Sequence, residues 1–259
     1  MGKIIAVANQ KGGVGKTTTA ISLSAALAKL GKKVLLLDLD PQANATSGLG
    51  IEADSSIYFP LIGEASMLDQ VVATSTENLF IVPSGMDLSG VEIELARRDD
   101  HLTFLRDMLV DVRECSDFDY CLLDTPPSLG VLMTSSLASA DEVLIPLQCE
   151  YFGLEGLAKI IHIITQIRES GAAPDLLLGG IIMTMYDGRT NLSRQVVDEV
   201  TKHFPDHIFE RVVPRTIRLS EAPSFGKTIF QHDASGTGSR AYIAVAHEFL
   251  ERHGDAPVE

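Results

Sequence analysis

Asn9-Gln10-Lys11-Gly12-Gly13-Val14-Gly15-Lys16-Thr17-Thr18, directly after the apolar run Ile4-Ile5-Ala6-Val7-Ala8, is the stretch that decides the fold. The run reads as a buried strand and the three glycines as a turn. A helix follows from near Lys16, with apolar side chains at Ile21, Leu23, Leu27 and Leu30. Strand, glycine-rich loop and helix in this order make a phosphate-binding loop. Glycine suits it because backbone N–H groups must wrap inward around an anion in conformations where a Cβ would clash. The helix adds its unpaired N–H groups and the positive end of its dipole. The candidate cradle is the backbone of Gly12, Gly13, Val14, Gly15, Lys16, Thr17 and Thr18. Lys16 is expected to reach the β- and γ-phosphates and the Thr17 hydroxyl to ligate Mg²⁺. The pattern G-x-x-x-x-G-K-[ST] is broken only at its first place, where Gln10 stands for glycine.

Working outward, Lys32-Lys33-Val34-Leu35-Leu36-Leu37-Asp38-Leu39-Asp40 predicts a second strand, apolar almost throughout as parallel strands buried on both faces are. Pro41 stops it, which puts Asp40 at the carboxyl edge of the sheet, where ligands bind in open α/β folds. Asp38 and Asp40 are expected to share a strand face, an odd place for acids unless a cation or water sits there. Phe118-Asp119-Tyr120-Cys121-Leu122-Leu123-Asp124 repeats the pattern of an apolar run closed by an acid, the Walker B arrangement, in which the carboxylate organises the magnesium shell.

Between these, residues 48–78 predict one or two short helices, Leu79-Phe80-Ile81-Val82 a short strand, and 88–113 a helical region in which Arg97-Arg98-Asp99-Asp100 is a solvated face. Strands over 142–147 and 176–185 alternate with helices after Gly153 and over 189–203, and a last helix covers 241–252. This order predicts an α/β P-loop NTPase, a mostly parallel twisted β-sheet with helices on both faces, as a single domain over 1–259. Gly236-Thr237-Gly238-Ser239-Arg240-Ala241 fits G-x-G-x-x-A, but no strand precedes it.

With 45% hydrophobic and 22% charged residues among 259, the composition is that of a soluble globular chain. A formal charge of -14 counts against nucleic-acid binding unless the cations are segregated. Cys115, Cys121 and Cys149 form no metal-ligand spacing and no disulfide framework, which fits a reducing cytoplasm; Cys121 is expected to be a small core residue. The N-terminal apolar run is too short for a signal peptide, and Gly2 is not in a myristoylation pattern.

Lys11-Gly12-Gly13-Val14-Gly15-Lys16-Thr17 resembles the deviant Walker A motif, K-G-G-x-x-K-[ST], of the ParA/MinD/nitrogenase iron protein class. Pro41-Gln42-Ala43-Asn44 after Asp40 resembles that class's switch I, and Asp124-Thr125-Pro126-Pro127 the switch II of its ParA branch. Val213-Pro214-Arg215-Thr216-Ile217-Arg218-Leu219-Ser220-Glu221-Ala222-Pro223-Ser224-Phe225-Gly226-Lys227 is similar to a segment of chromosomal ParA proteins, often called Soj. With Met183-Thr184-Met185-Tyr186-Asp187, the resemblance spans nearly the whole chain. It implies ATP with Mg²⁺, Pro214 near the adenine, and a homodimer formed with ATP in which Lys11 reaches the other chain's nucleotide. Asp40 would position or deprotonate the attacking water, and turnover would be slow.

The same engine serves three outputs. A ParA-type output is ATP-dependent binding to double-stranded DNA without sequence preference, ended when a ParB-type centromere-binding protein stimulates hydrolysis; the protein would be cytoplasmic and nucleoid-associated. Arg189 and Arg218 match positions implicated in DNA binding in Soj-type members, with Arg215, Lys227 and Arg240 adding to a basic concentration. A MinD-type membrane output needs a basic amphipathic C-terminal helix, and the stretch from Ala241, with two glutamates and one arginine before Gly254-Asp255-Ala256-Pro257-Val258-Glu259, is a poor candidate. A redox output needs cluster cysteines in motifs that Cys121 and Cys149 lack. An orphan ParA that positions another cargo stays open. The chain also starts at its first strand, so no N-terminal helix-turn-helix is expected.

Overall fold

Alternate residues of each central strand feed two different cores. Ile4, Ala6 and Ala8 pack on one side of the sheet and Ile5 and Val7 on the other, as do Leu35 and Leu37 against Val34 and Leu36. A strand covered on both faces can be apolar at every position, so these runs need no polar alternation. The computed structural model describes residues 2–52 and 54–255; the end of the tail, 256–259, read above as unsuited to lipid, lies outside them.

The sheet has seven strands: β1 (Lys3–Val7), β2 (Val34–Asp38), β3 (Val72–Ala73), β4 (Leu79–Val82), β5 (Tyr120–Asp124), β6 (Glu142–Gln148) and β7 (Leu177–Thr184), in the order β3-β4-β2-β5-β1-β6-β7. Every pairing is parallel except β3 with β4. The helices are α1 (Lys16–Lys29), α2 (Asn44–Gly48), α3 (Tyr58–Leu61), α4 (Leu88–Leu95), α5 (Phe104–Met108), α6 (Val110–Glu114), α7 (Val131–Ser139), α8 (Tyr151–Glu169), α9 (Asn191–His203), α10 (Ile217–Glu221), α11 (Ile229–His232) and α12 (Thr237–Arg252). Side chains of α4 to α9 join the first core, and those of α1, α2 and α10 to α12 the second.

Register decides where the chemistry falls. Val7 of β1 and Asp38 of β2 both pair with Asp124 of β5, so the loop after β1 and the two acids emerge at one level of the carboxyl edge. The chain leaves β1 through α1 to β2 on one side of β5, while β6 lies on the other side of β1, which makes this edge a topological switch point.

Several expectations need correction. The helical region 88–113 is three helices, broken first where Arg98 turns back to hold Asp100 with two bonds of 2.7 Å and again at Leu109. Strand β2 ends at Asp38, so Asp40 sits in the following loop rather than on a shared strand face. The stretch from Pro41, read as loop, contains α2, and α7 and the antiparallel β3 were not anticipated. The last helix begins at Thr237, so Gly236 to Ala241 opens a helix without a preceding strand. Its apolar face, Tyr242, Val245, Ala246, Phe249 and Leu250, is spent inside the core shared with α1, which leaves that face no lipid to meet. No described helix is long and apolar enough to cross a membrane.

Candidate active site

Gly13 and Gly15 have φ of +73° and +90°, in the left-handed region that only glycine enters without strain. Space is open around the Cα atoms of Gly12 and Gly13, so the backbone can approach a ligand there. The loop is anchored from both sides: buried Val14 accepts a hydrogen bond from Thr184 Oγ1 at 2.8 Å, and Asn9 Oδ1 accepts one from the Lys11 N–H at 3.0 Å. Lys16 opens α1, only 7% exposed, with its Nζ donating to the Lys11 carbonyl at 3.3 Å. Burial lowers its pKa, against the pull of Asp124 and Asp40, which favour the ammonium.

The acids are arranged as a buried cluster. Asp124 is wholly inaccessible, and neither of its carboxyl oxygens receives a hydrogen bond of acceptable geometry from a described residue. Burial raises its pKa well above the carboxylate range, with Asp38 adding to the rise, while the facing Thr17 hydroxyl offsets part of it. Asp38 is raised to about 6, by burial first, although it accepts from Thr46 N and Oγ1 at 2.8 Å and from Asp40 N at 3.2 Å. These bonds tie α2 to the end of β2. Asp40 is 6% exposed; its carbonyl accepts from Ser84 Oγ and its Oδ1 from Gln42 N.

A cavity of about 510 Å³ opens over the loop, bounded by Gly13, Lys16, Thr17, Asp40, Pro127 and Ser224. A smaller one of about 160 Å³ lies beside it against Pro214, Thr216, Leu219 and Tyr242. The two share Gly15, Thr18 and Met185 as walls. The structure thus brings Lys16, Thr17, Asp40 and Asp124 to one place and Pro214 to its neighbour. Met185, Asn44, Ser47, Ser224 and Tyr242 also line these cavities and were not singled out from sequence. A sequence signal existed for Met185, Asn44 and Ser224, which lie in quoted motifs, but the φ of Met185, +52° and uncommon for a non-glycine residue, is visible only in the structure. A further cavity of about 490 Å³ at the opposite sheet edge holds cations that are already partnered: Arg113 bonds Asp141 and the Ser139 carbonyl, and Arg106 the carbonyls of Ala138 and Ala172.

Lys11 is not on the wall of the larger cavity. Its side chain passes Gly156 on α8 and its Nζ lies 4.0 Å from Glu150 Oε2. The arginines lie farther out. Arg189 is exposed and forked onto Asp187; Arg218, on α10, is exposed and bonds Glu221; Arg215 and Lys227 are exposed. Arg240 bonds the Ser235 carbonyl.

The donor set fits a magnesium ion. Mg²⁺ prefers oxygen ligands and keeps several of its waters, so one unpartnered carboxylate facing a threonine hydroxyl suffices. Among the described residues no group of three His, Cys, Asp or Glu could hold a metal by itself.

Comparison with known proteins agrees with this geometry. A family model described as an AAA domain matches residues 2–177. The chain is 46% identical over 256 residues to the chromosome partitioning protein ParA of Caulobacter vibrioides, covering 98% of this chain and 96% of that one. It is 48% identical over 252 residues to the chromosome-partitioning ATPase Soj of Thermus thermophilus, covering 97% of each. Among solved structures, a Mycobacterium smegmatis protein described as cobyrinic acid a,c-diamide synthase, with ADP and magnesium bound, superposes with a TM-score of 0.84 at 34% identity, over 98% of this chain and 96% of that one. The partitioning proteins are the more similar in sequence. This chain belongs to the ParA/Soj family of chromosome-partitioning ATPases.

Proposed function

We propose that residues 1–259 act as one ATPase domain, a slow Mg²⁺-dependent switch whose ATP-bound homodimer holds nonspecific double-stranded DNA. The observation that carries this is a charge pattern the protein leaves incomplete. A buried ammonium, Lys16, and a buried carboxylate without a partner, Asp124, stand around a loop of left-handed glycines under an open cavity. Phosphates and a cation complete it.

In this reading the N–H groups from Gly12 to Thr18 hold the phosphates and Lys16 offsets their charge, while the base enters the smaller cavity beside Pro214. Thr17 and Asp124 would hold the ion. Bound magnesium supplies positive charge to the phosphate oxygens. Asp40, at the cavity wall, orients the attacking water. Phosphoryl transfer depends chiefly on positioning and electrostatics, so loss of Lys16 or Asp40 costs about 10²–10³-fold in rate. Lys11, directed away from its own cavity with its Nζ 4.0 Å from Glu150 Oε2, gives up that partly exposed contact to reach the nucleotide of a second copy, which makes ATP binding and dimerisation one event. Arg189, Arg215, Arg218 and Lys227 supply the DNA contacts, the protein is nucleoid-associated in the cytoplasm, and a ParB-type centromere-binding partner ends the bound state by stimulating hydrolysis.

The shared site is tested by light scattering on the Asp40→Ala variant with Mg²⁺. Twice the monomer mass with ATP and the monomer mass with ADP are expected. A monomer in both states, from protein shown to bind ATP, would contradict it.

A further inference from the structure

The two arginines matched to DNA-binding positions are both occupied by the protein's own acids. Arg189 uses Nε and Nη2 to hold the two carboxyl oxygens of Asp187, at 2.9 and 2.7 Å, and its backbone N–H bonds the same Oδ1 at 3.0 Å. Arg218 Nη1 donates to Glu221 Oε2 at 3.0 Å, an oxygen that His232 Nε2 also approaches at 3.5 Å. The pairs share one strip. Arg215 N bonds the Tyr186 carbonyl at 3.0 Å and Tyr186 N bonds that of Val213, so the chain carrying Asp187 runs beside the one carrying Arg215 and Arg218. Arg189 and, less strongly, Arg215 hold the Asp187 carboxyl down at about 2, so it stays charged.

A carboxylate fork is the same demand on guanidinium as a phosphodiester: one negative charge and two oxygens accepting parallel N–H bonds. Both arginines are exposed, with 90% of the Arg189 and 54% of the Arg218 side chain open to solvent, while Asp187 and Glu221 are partly so, at 23% and 39%; pairs with one end in water are weak enough to exchange. After exchange, each displaced carboxylate remains within a few ångströms of the incoming phosphate and repels it. We propose that Asp187 and Glu221 are intramolecular stand-ins for DNA phosphate, which occupy Arg189 and Arg218 and keep one chain's affinity low, so that firm attachment needs the strips of two chains together. This rests on the DNA reading above. It gives an acidic protein a graded DNA face, because two weak sites joined in a dimer bind far more tightly than either alone.

The opposite role is physically possible and has the opposite sign: acids that orient the arginines would, when removed, weaken DNA binding. The experiment uses the Asp40→Ala protein with ATP and Mg²⁺, a labelled random-sequence duplex, and anisotropy at two salt concentrations. Asp187→Asn keeps the acceptor for Arg189 N–H and Glu221→Gln keeps the side-chain length, and neither residue lines the cavities, so ATP binding serves as the folding control. Each substitution is expected to tighten DNA binding by about two- to fivefold, the pair by about the product, and the double variant to show binding with ADP as well. Unchanged or weaker binding in both variants, while Arg218→Ala still weakens the parent, overturns this inference alone. A parent that binds no duplex with ATP at the lower salt overturns the DNA reading with it.

Discussion

Replacing Asp124 by Asn should make the unliganded protein more stable and its response to magnesium nucleotide smaller. In the folded chain this carboxylate is inaccessible, lies beside Asp38 and Asp40, and, although the Thr17 hydroxyl faces it, receives no hydrogen bond of acceptable geometry from a described residue. An unsatisfied buried acceptor costs about 1–3 kcal/mol, more if charged. Asn has nearly the same volume, carries no charge at any pH and can donate toward Asp38. A gain of about 2 kcal/mol corresponds to a rise in Tm of about 4–8 °C for a chain of this size. The sign with pH follows from the raised folded pKa. The native state holds a proton that the unfolded chain releases near 3.9, so the group's contribution to stability falls as pH rises through that value toward its folded pKa. The advantage of Asn should therefore be full above the folded pKa and vanish toward pH 4. Conversely, wild type should gain about 2.7 kcal/mol from Mg²⁺-ATP at 100 times its Kd, and the variant should lose most of the part that depends on magnesium. Calorimetry from pH 4.5 to 8, with and without Mg²⁺-ATP, reads both effects. A lower unliganded Tm at pH 7.5 combined with an undiminished magnesium response would refute the view of Asp124 as an acid left without a protein partner for the sake of a cation.

Other substitutions separate the parts of the site. Lys11→Ala should leave ATP binding to the monomer nearly intact and abolish the ATP dimer, read by sedimentation velocity; normal dimerisation would discard the role given to this lysine. Gly15→Ala forces a Cβ into a φ of +90° and should cost about 1–2 kcal/mol by denaturant titration, whereas Gly12→Ala, with open space around it and no positive φ, should cost under about 0.5 kcal/mol while still weakening nucleotide binding. Lys16→Ala should lower ATP turnover by about 10²–10³-fold in a phosphate-release assay, and a loss below tenfold would mean that the loop amides carry the charge alone.

Much of this arrangement was legible because parallel strands buried on both faces advertise themselves as unbroken apolar runs, and the acids that end two of them, Asp38 and Asp124, mark the edge where the phosphate loop must also emerge. What stayed hidden depended on tertiary contact. Helix α2 starts after Ala43 at a φ of +50° and is held by bonds from Thr46 to Asp38, which no local propensity announces. Helix α7, Val131–Ser139, has a weak stripe because it is buried on most sides, so its periodicity gave no contrast against the acid and prolines before it. The cavity walls at Ser224 and Tyr242 are brought to the loop by α10 to α12 folding back over α1. Likewise the pairing of Arg189 with Asp187 follows from side-chain directions, although the two residues are near neighbours in the chain.

The central claim is that the ATP state, and only that state, is a DNA-binding state. The most direct measurement is retention of a nonspecific duplex by the Asp40→Ala protein with ATP and with ADP at two salt concentrations, beside the same protein carrying Arg218→Glu. The account predicts retention with ATP alone, falling steeply with salt as counterion release requires, and lost in the arginine variant. No retention in either nucleotide state, from protein that dimerises with ATP, would contradict it and leave a ParA-like ATPase that positions its cargo on some other matrix.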